Sequence, residues 1–148
     1  MRIQRLLIWA AWLAYVAAWF LPIVKEGATL PDGLPGWQAF RVATCAVWPC
    51  ADISIDKWYK AVLFTISAVT TVLFIPVSLW AVSSGLRALR RAFAWVATSA
   101  FIVNAHWYVL YGGSARQDLR IGYFLWWLSF LLVALGLFDL PRRETSKQ

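Results

Sequence analysis

Charge is what this sequence has least of. Asp, Glu, Lys and Arg make up 14% of its 148 residues, against about 25% in a soluble domain. Hydrophobic residues make up 61%. That balance excludes an ordinary soluble domain and points to an integral membrane protein organised as one transmembrane domain over residues 1–148. The net charge of +7 would suggest a nucleic-acid partner in a soluble chain. Here the basic residues flank apolar runs, so they report topology instead, and no nucleic acid is expected.

The catalytic residue types are nearly as scarce. There is one His and there are two Cys, too few for a four-ligand zinc site. A lone His without a suitable nucleophile argues against a catalytic triad. No phosphate-binding loop, GxSxG, HExxH or EF-hand pattern is present. No catalytic, metal-binding or cofactor-binding residue is therefore expected. There is no internal repeat and no low-complexity tract.

What is present is four apolar runs, each near the length of about 20 residues that crosses a bilayer as helix. They cover residues 6–24, 61–83, 92–112 and 119–140. Lipid satisfies no backbone group and four strands cannot close a barrel, so helix is the expected state. The first run has Arg2 and Arg5 ahead of it and a Val16-Ala17-Ala18 step, as a signal peptide would. Its apolar stretch is longer than a usual signal core, so it counts as a span. The expected fold is an all-α membrane protein: a four-helix transmembrane bundle with a structured outer loop over residues 25–60. No charged residue lies in mid-membrane, so a small-solute channel or transporter ranks last. The intramembrane Glu of the four-span small multidrug transporters has no counterpart.

Basic residues orient the spans. Arg2 and Arg5, then Arg87, Arg90 and Arg91, then Arg142, Arg143 and Lys147 mark one side. The other two connections balance Lys25, Arg41, Lys57, Lys60, Arg116 and Arg120 against Glu26, Asp32, Asp52, Asp56 and Asp118. The positive-inside rule then predicts cytoplasmic termini. Compactness and short loops suggest the bacterial inner membrane. The 11 Trp suit aromatic belts: Trp9, Trp12, Trp80 and Trp95 inside, and Trp19, Trp58, Trp107, Trp126 and Trp127 outside with Tyr59, Tyr108, Tyr111 and Tyr123.

Seams between helices should hold small or hydrogen-bonding residues. Ala10, Ala14 and Ala18 fit on the first span, Ser67, Thr71 and Ser78 on the second, and Gly122, Ser129 and Gly136 on the fourth. Pro76 should kink the second span. Asn104 and His106 are the most polar groups of the third. Two residues apart on a helix is about 200°, so they face different neighbours. Asn104, Ser67, Thr71 and Ser129 are expected to be packing residues.

The first outer loop contains TCAVWPC, residues 44–50. Turns are expected around Pro31, Gly33, Pro35 and Gly36, then helix from Trp37 to Val47. Trp37, Phe40, Thr44 and Trp48 should share one face, with Arg41 at its edge. An element apolar on both faces belongs at the membrane interface. Asp56 should cap the second span. Cysteines outside the membrane meet an oxidising compartment. Helix held continuous over five residues would keep Cys45 and Cys50 too far apart to bridge. Helix is disfavoured before proline, so the Trp48-Pro49 step should let Cys50 fold back onto Cys45. A structural disulfide is expected.

In topology the chain is similar to the quinone-reducing membrane thiol oxidases that recharge periplasmic disulfide donors. That resemblance implies a quinone-linked thiol-disulfide oxidoreductase using Cys45 and Cys50, with quinone near Trp37, Trp48 and His106. The chain departs from the family where the chemistry lies. Theirs is C-x-x-C, this is C-x4-C, and residues 112–119 lack the second cysteine pair that a relay requires. The leading expectation is therefore a non-catalytic accessory or regulatory subunit. Membrane lipids, a membrane protein or a second copy would meet it at Trp37, Phe40, Arg41, Trp48, His106, Trp107 and Trp126.

Overall fold

The computed structural model describes residues 2–25, 33–48, 50, 58–83, 87–110 and 119–138. Most of these are helical: α1 (Arg2–Phe20), α2 (Gly36–Thr44), α3 (Trp58–Ser83), α4 (Arg87–Asn104), α5 (His106–Leu110) and α6 (Ile121–Phe138). Two short strands, β1 (Pro22–Val24) and β2 (Leu34–Pro35), pair antiparallel. Among the described residues three helices are long and apolar enough to cross a membrane, Ile3–Phe20, Trp58–Trp80 and Ile121–Phe138.

α6 is the hub, because it buries one face against α1 and the adjoining one against α4. Small residues allow the first contact. At the start of α6, Gly122 lies against the Leu21 and Pro22 carbonyls, each 2.7 Å from where a Cβ would stand. Near its end, Gly136 lies against Ile8 and Gln4. The two helices are thus antiparallel. Aromatics make the second contact. Phe101 stacks on Trp127 with centroids 4.6 Å apart, and Trp95 meets Phe138 edge-on. α4 is therefore also antiparallel to α6. α3 runs antiparallel to α4, with Ser67 bonded to Asn104 and Trp80 against Phe93. It closes on α1 through Tyr15 and Phe74, whose rings stack at 4.1 Å. Such a pair is worth about 1 kcal/mol beyond its buried area.

A cap covers the end where α1 finishes. β1 pairs with β2, bridges to Leu119 through Val24, and takes the Arg120 N–H on the Ile23 carbonyl at 2.8 Å. Gly33 supplies the left-handed turn into β2 at φ 81°. α2 then starts on α1. The Gly36 N–H bonds the Leu21 carbonyl at 3.2 Å, and a Cβ on Gly36 would stand 2.0 Å from the Ala18 carbonyl oxygen.

Several boundaries differ from the sequence reading. The first helix ends at Phe20, and residues 22–24 are strand rather than the end of a span. Pro22 explains this, since it disfavours helix at Leu21. The stretch expected only to turn contains β2. α2 ends at Thr44, three residues short of Val47. α3 begins at Trp58 and runs unbroken through Pro76. The run over 92–112 is not one helix: α4 stops at Asn104, Ala105 is a turn, and α5 follows. Asp56, Pro31, Pro49 and residues 111–112 and 139–148 lie outside the described residues.

Candidate functional site

Helices meeting in lipid gain little from burying carbon against carbon, so any polar group between them needs a partner. Asn104 is the centre of such a set and is 0% exposed. Its amide donates to Thr70 Oγ1 at 2.9 Å and to the Ala100 carbonyl at 2.8 Å. Its Oδ1 accepts from Ser67 Oγ at 2.9 Å. Ser67 Oγ in turn accepts the Trp107 indole N–H at 2.8 Å.

One turn along α3, Thr71 Oγ1 donates to the Ser67 carbonyl at 2.7 Å and accepts the Trp126 indole N–H at 3.2 Å. The Thr71 carbonyl accepts the Tyr15 hydroxyl at 2.9 Å. On α6, Ser129 Oγ donates to the Trp126 carbonyl, and the Trp127 indole donates to the Phe101 carbonyl at 2.7 Å. The set links α1, α3, α4, α5 and α6. Every donor on Asn104, Ser67, Thr71, Trp107 and Trp126 has an acceptor inside the protein.

The break between α4 and α5 belongs to the same set. The Tyr123 hydroxyl donates to the Asn104 carbonyl at 2.9 Å, and His106 Nδ1 donates to the Val103 carbonyl. Two consecutive carbonyls are thus occupied by side chains. The Tyr108 N–H bonds Ala105 instead, at 3.0 Å. His106 Nε2 is buried and has no hydrogen-bond partner among the described residues. The His106 ring lies 4.6 Å from the Trp107 ring.

The cap is the second concentration of chemistry. Cys45 and Cys50 form a disulfide with Cα atoms 5.2 Å apart. Cys45 ends α2 and is buried, and the Trp48 N–H bonds the Thr44 carbonyl at 2.9 Å. Cys50 therefore lies back against the end of α2. On the cap Trp48 is 80% exposed and Trp37 48%, and Trp58 at the start of α3 is 80% exposed. Arg41 is exposed as well. Phe40 is half-buried, 5.2 Å from the Trp19 ring of α1. The face shared by Trp37, Phe40, Thr44 and Trp48 is thus divided, with Phe40 turned to α1 and both tryptophans outward.

Trp126 and Trp107 belong with the buried set rather than with an outward surface. Trp126 is 8% exposed and Trp107 half-buried. Sequence reasoning missed Tyr15, Thr70, Tyr123 and Trp127 as members. Tyr15 left a signal: a tyrosine midway along an apolar helix needs a partner for its hydroxyl. Among the described residues no three His, Cys, Asp or Glu come together. No protein family matches the chain, and no curated protein or solved structure is similar to it.

Proposed function

We propose that this chain is a non-catalytic integral membrane protein, an accessory or regulatory subunit that binds a membrane partner or lipid through its cap and helix faces. The observation that carries the reading is the contrast between its two concentrations of chemistry. Among the described residues the buried hydroxyls, indoles and Asn104 amide are spent on one another, and no three His, Cys, Asp or Glu come together. The cap keeps Trp37 and Trp48 on its surface beside a disulfide. Large aromatics held out on a stapled element are the residue types that anchor interfaces.

In this reading α4 with α5 is a fourth span. Support comes from the alternation of direction: α1, α3, α4 and α6 run antiparallel to successive neighbours, as four consecutive crossings require. The cap then lies outside, α2 rests at the membrane interface, and both termini are cytoplasmic, as the basic residues suggest. A bacterial inner membrane suits the short connections.

The test is purification from the native membrane in mild detergent, with mass spectrometry of co-purifying proteins and lipids. A stoichiometric partner or lipid that is lost in a Trp37→Ala, Trp48→Ala variant supports the reading. Bound quinone, with a mixed disulfide trapped in Cys50→Ala, would replace it with the thiol-disulfide oxidoreductase reading.

A further inference from the structure

The end of the molecule opposite the cap carries a pattern of its own. α1 and α4 are parallel, since each is antiparallel to α6, so both start at this end. The last turn of α6 separates them. Gly136 stands against Ile8 of α1, and Phe138 meets the Trp95 ring of α4 with centroids 5.4 Å apart. Each flanking helix bears the same pair four residues apart, Arg5 with Trp9 and Arg91 with Trp95. That spacing stacks the two side chains on one helix face, at depths about 6 Å apart. All four are exposed, Trp9 by 67% and Trp95 by 63%.

No acid offsets these cations within the helices. The sequence has no Asp or Glu from position 1 to 25 or from 57 to 117. Neither α1 nor α4 has an acidic residue in its first turn. Arg2, Arg87 and Arg90 add to the same end in sequence. The segment after α6 brings Arg142, Arg143 and Lys147 against Asp139 and Glu144.

We infer that this end binds anionic phospholipid, with Arg5 and Arg91 on headgroup phosphates and Trp9 and Trp95 seated beneath them at the acyl boundary. A guanidinium fits phosphate through paired N–H donors, and indole settles at the level just below the headgroups. Basic side chains on neighbouring helices favour anionic lipid through its net charge. A zwitterionic headgroup brings its own ammonium, which these arginines repel. The inference rests on the proposed reading of α4 as a span beside α1 and α6, and is independent of what the cap binds.

The test uses the full chain in neutral detergent, titrated with phosphatidylglycerol, phosphatidylcholine or inorganic phosphate. Melting temperature and retained lipid are the readouts. Phosphatidylglycerol is expected to raise the melting temperature and to be retained, while phosphatidylcholine and phosphate do neither. Arg5→Gln and Arg91→Gln should each weaken phosphatidylglycerol binding about fivefold. Arg5→Lys with Arg91→Lys should weaken binding less than the Gln variants and keep the preference for phosphatidylglycerol, since charge stays while the paired donors are lost, and Arg120→Gln near the cap should change nothing. If one Gln variant fails to fold, the other and the Lys pair carry the comparison. Equal retention of phosphatidylcholine, or unchanged affinity in the Gln variants, overturns the inference. Stabilisation by phosphate alone also overturns it, because the site would then recognise a free anion.

Discussion

Asn104 shows how much one side chain can hold. It is fully buried, both amide protons are used, and its carbonyl accepts from a third helix. Hydrogen bonds between membrane helices average about 0.6 kcal/mol, with a maximum of about 1.7. Replacement by Leu should cost near the upper value, because Ser67 and Thr70 lose a partner together. Denaturant titration in micelles checks this. Undiminished stability with a lost cellular phenotype would instead make Asn104 a ligand-binding residue. Gly36→Ala is the sharper structural test. Its Cβ would overlap backbone at 2.0 Å, and backbone cannot rotate aside. A loss of about 1–3 kcal/mol is expected from such overpacking, with α2 released from α1. Gly33→Ala should cost less by crowding, with its nearest atoms at 3.0 Å, but adds the strain of a left-handed residue.

At the scale of elements, the disulfide spans five residues. The loop it closes is short, so its entropic contribution is less than the roughly 3 kcal/mol of a 15-residue loop. Replacing both cysteines with Ser should lower the melting temperature modestly and loosen Trp48, read as a shift of its fluorescence. Partner or lipid binding through the bundle should survive once the variant folds. Full stability with complete loss of function would show chemistry at the cysteines instead. α3 and α6 were legible as elements because their apolar runs are long and uninterrupted. The end of α1 was less so. Leu21, Pro22, Ile23 and Val24 continue the hydropathy of the helix although Pro22 has already ended it. The break at Ala105 had no local mark at all. Alanine is the best helix former, and the turn arises from Tyr123 and His106 drawing off two carbonyls. Tyr123 lies 19 residues from Asn104, a distance over which periodicity carries no information. For the same reason Trp126 read as part of an aromatic belt, whereas its indole bonds Thr71, 55 residues away.

At the scale of the molecule, the alternation of helix directions makes a prediction about sides. Reporter fusions at Gly85 and Gln148 should read cytoplasmic, and fusions at Gly33 and Gly113 external. An external signal at Gln148 would leave an odd number of crossings and reassign α4 with α5 to a surface position. The pairing of α1 with α6 also has a temporal side. The inward face of α1, with Ala11, Tyr15 and Ala18, and the Leu21 and Pro22 carbonyls just after it, against which Gly122 packs, are translated before α3, α4 and α6. Their partner is made more than a hundred residues later. Until α6 is made, the inward face of α1 lacks its main partner and the Leu21 and Pro22 carbonyls lack the close approach of Gly122. Closure of the bundle therefore waits for the synthesis of α6. A chain stopped at residue 118 should insert but fail to compact, and pulse-chase should show it cleared faster than the full chain by membrane proteases.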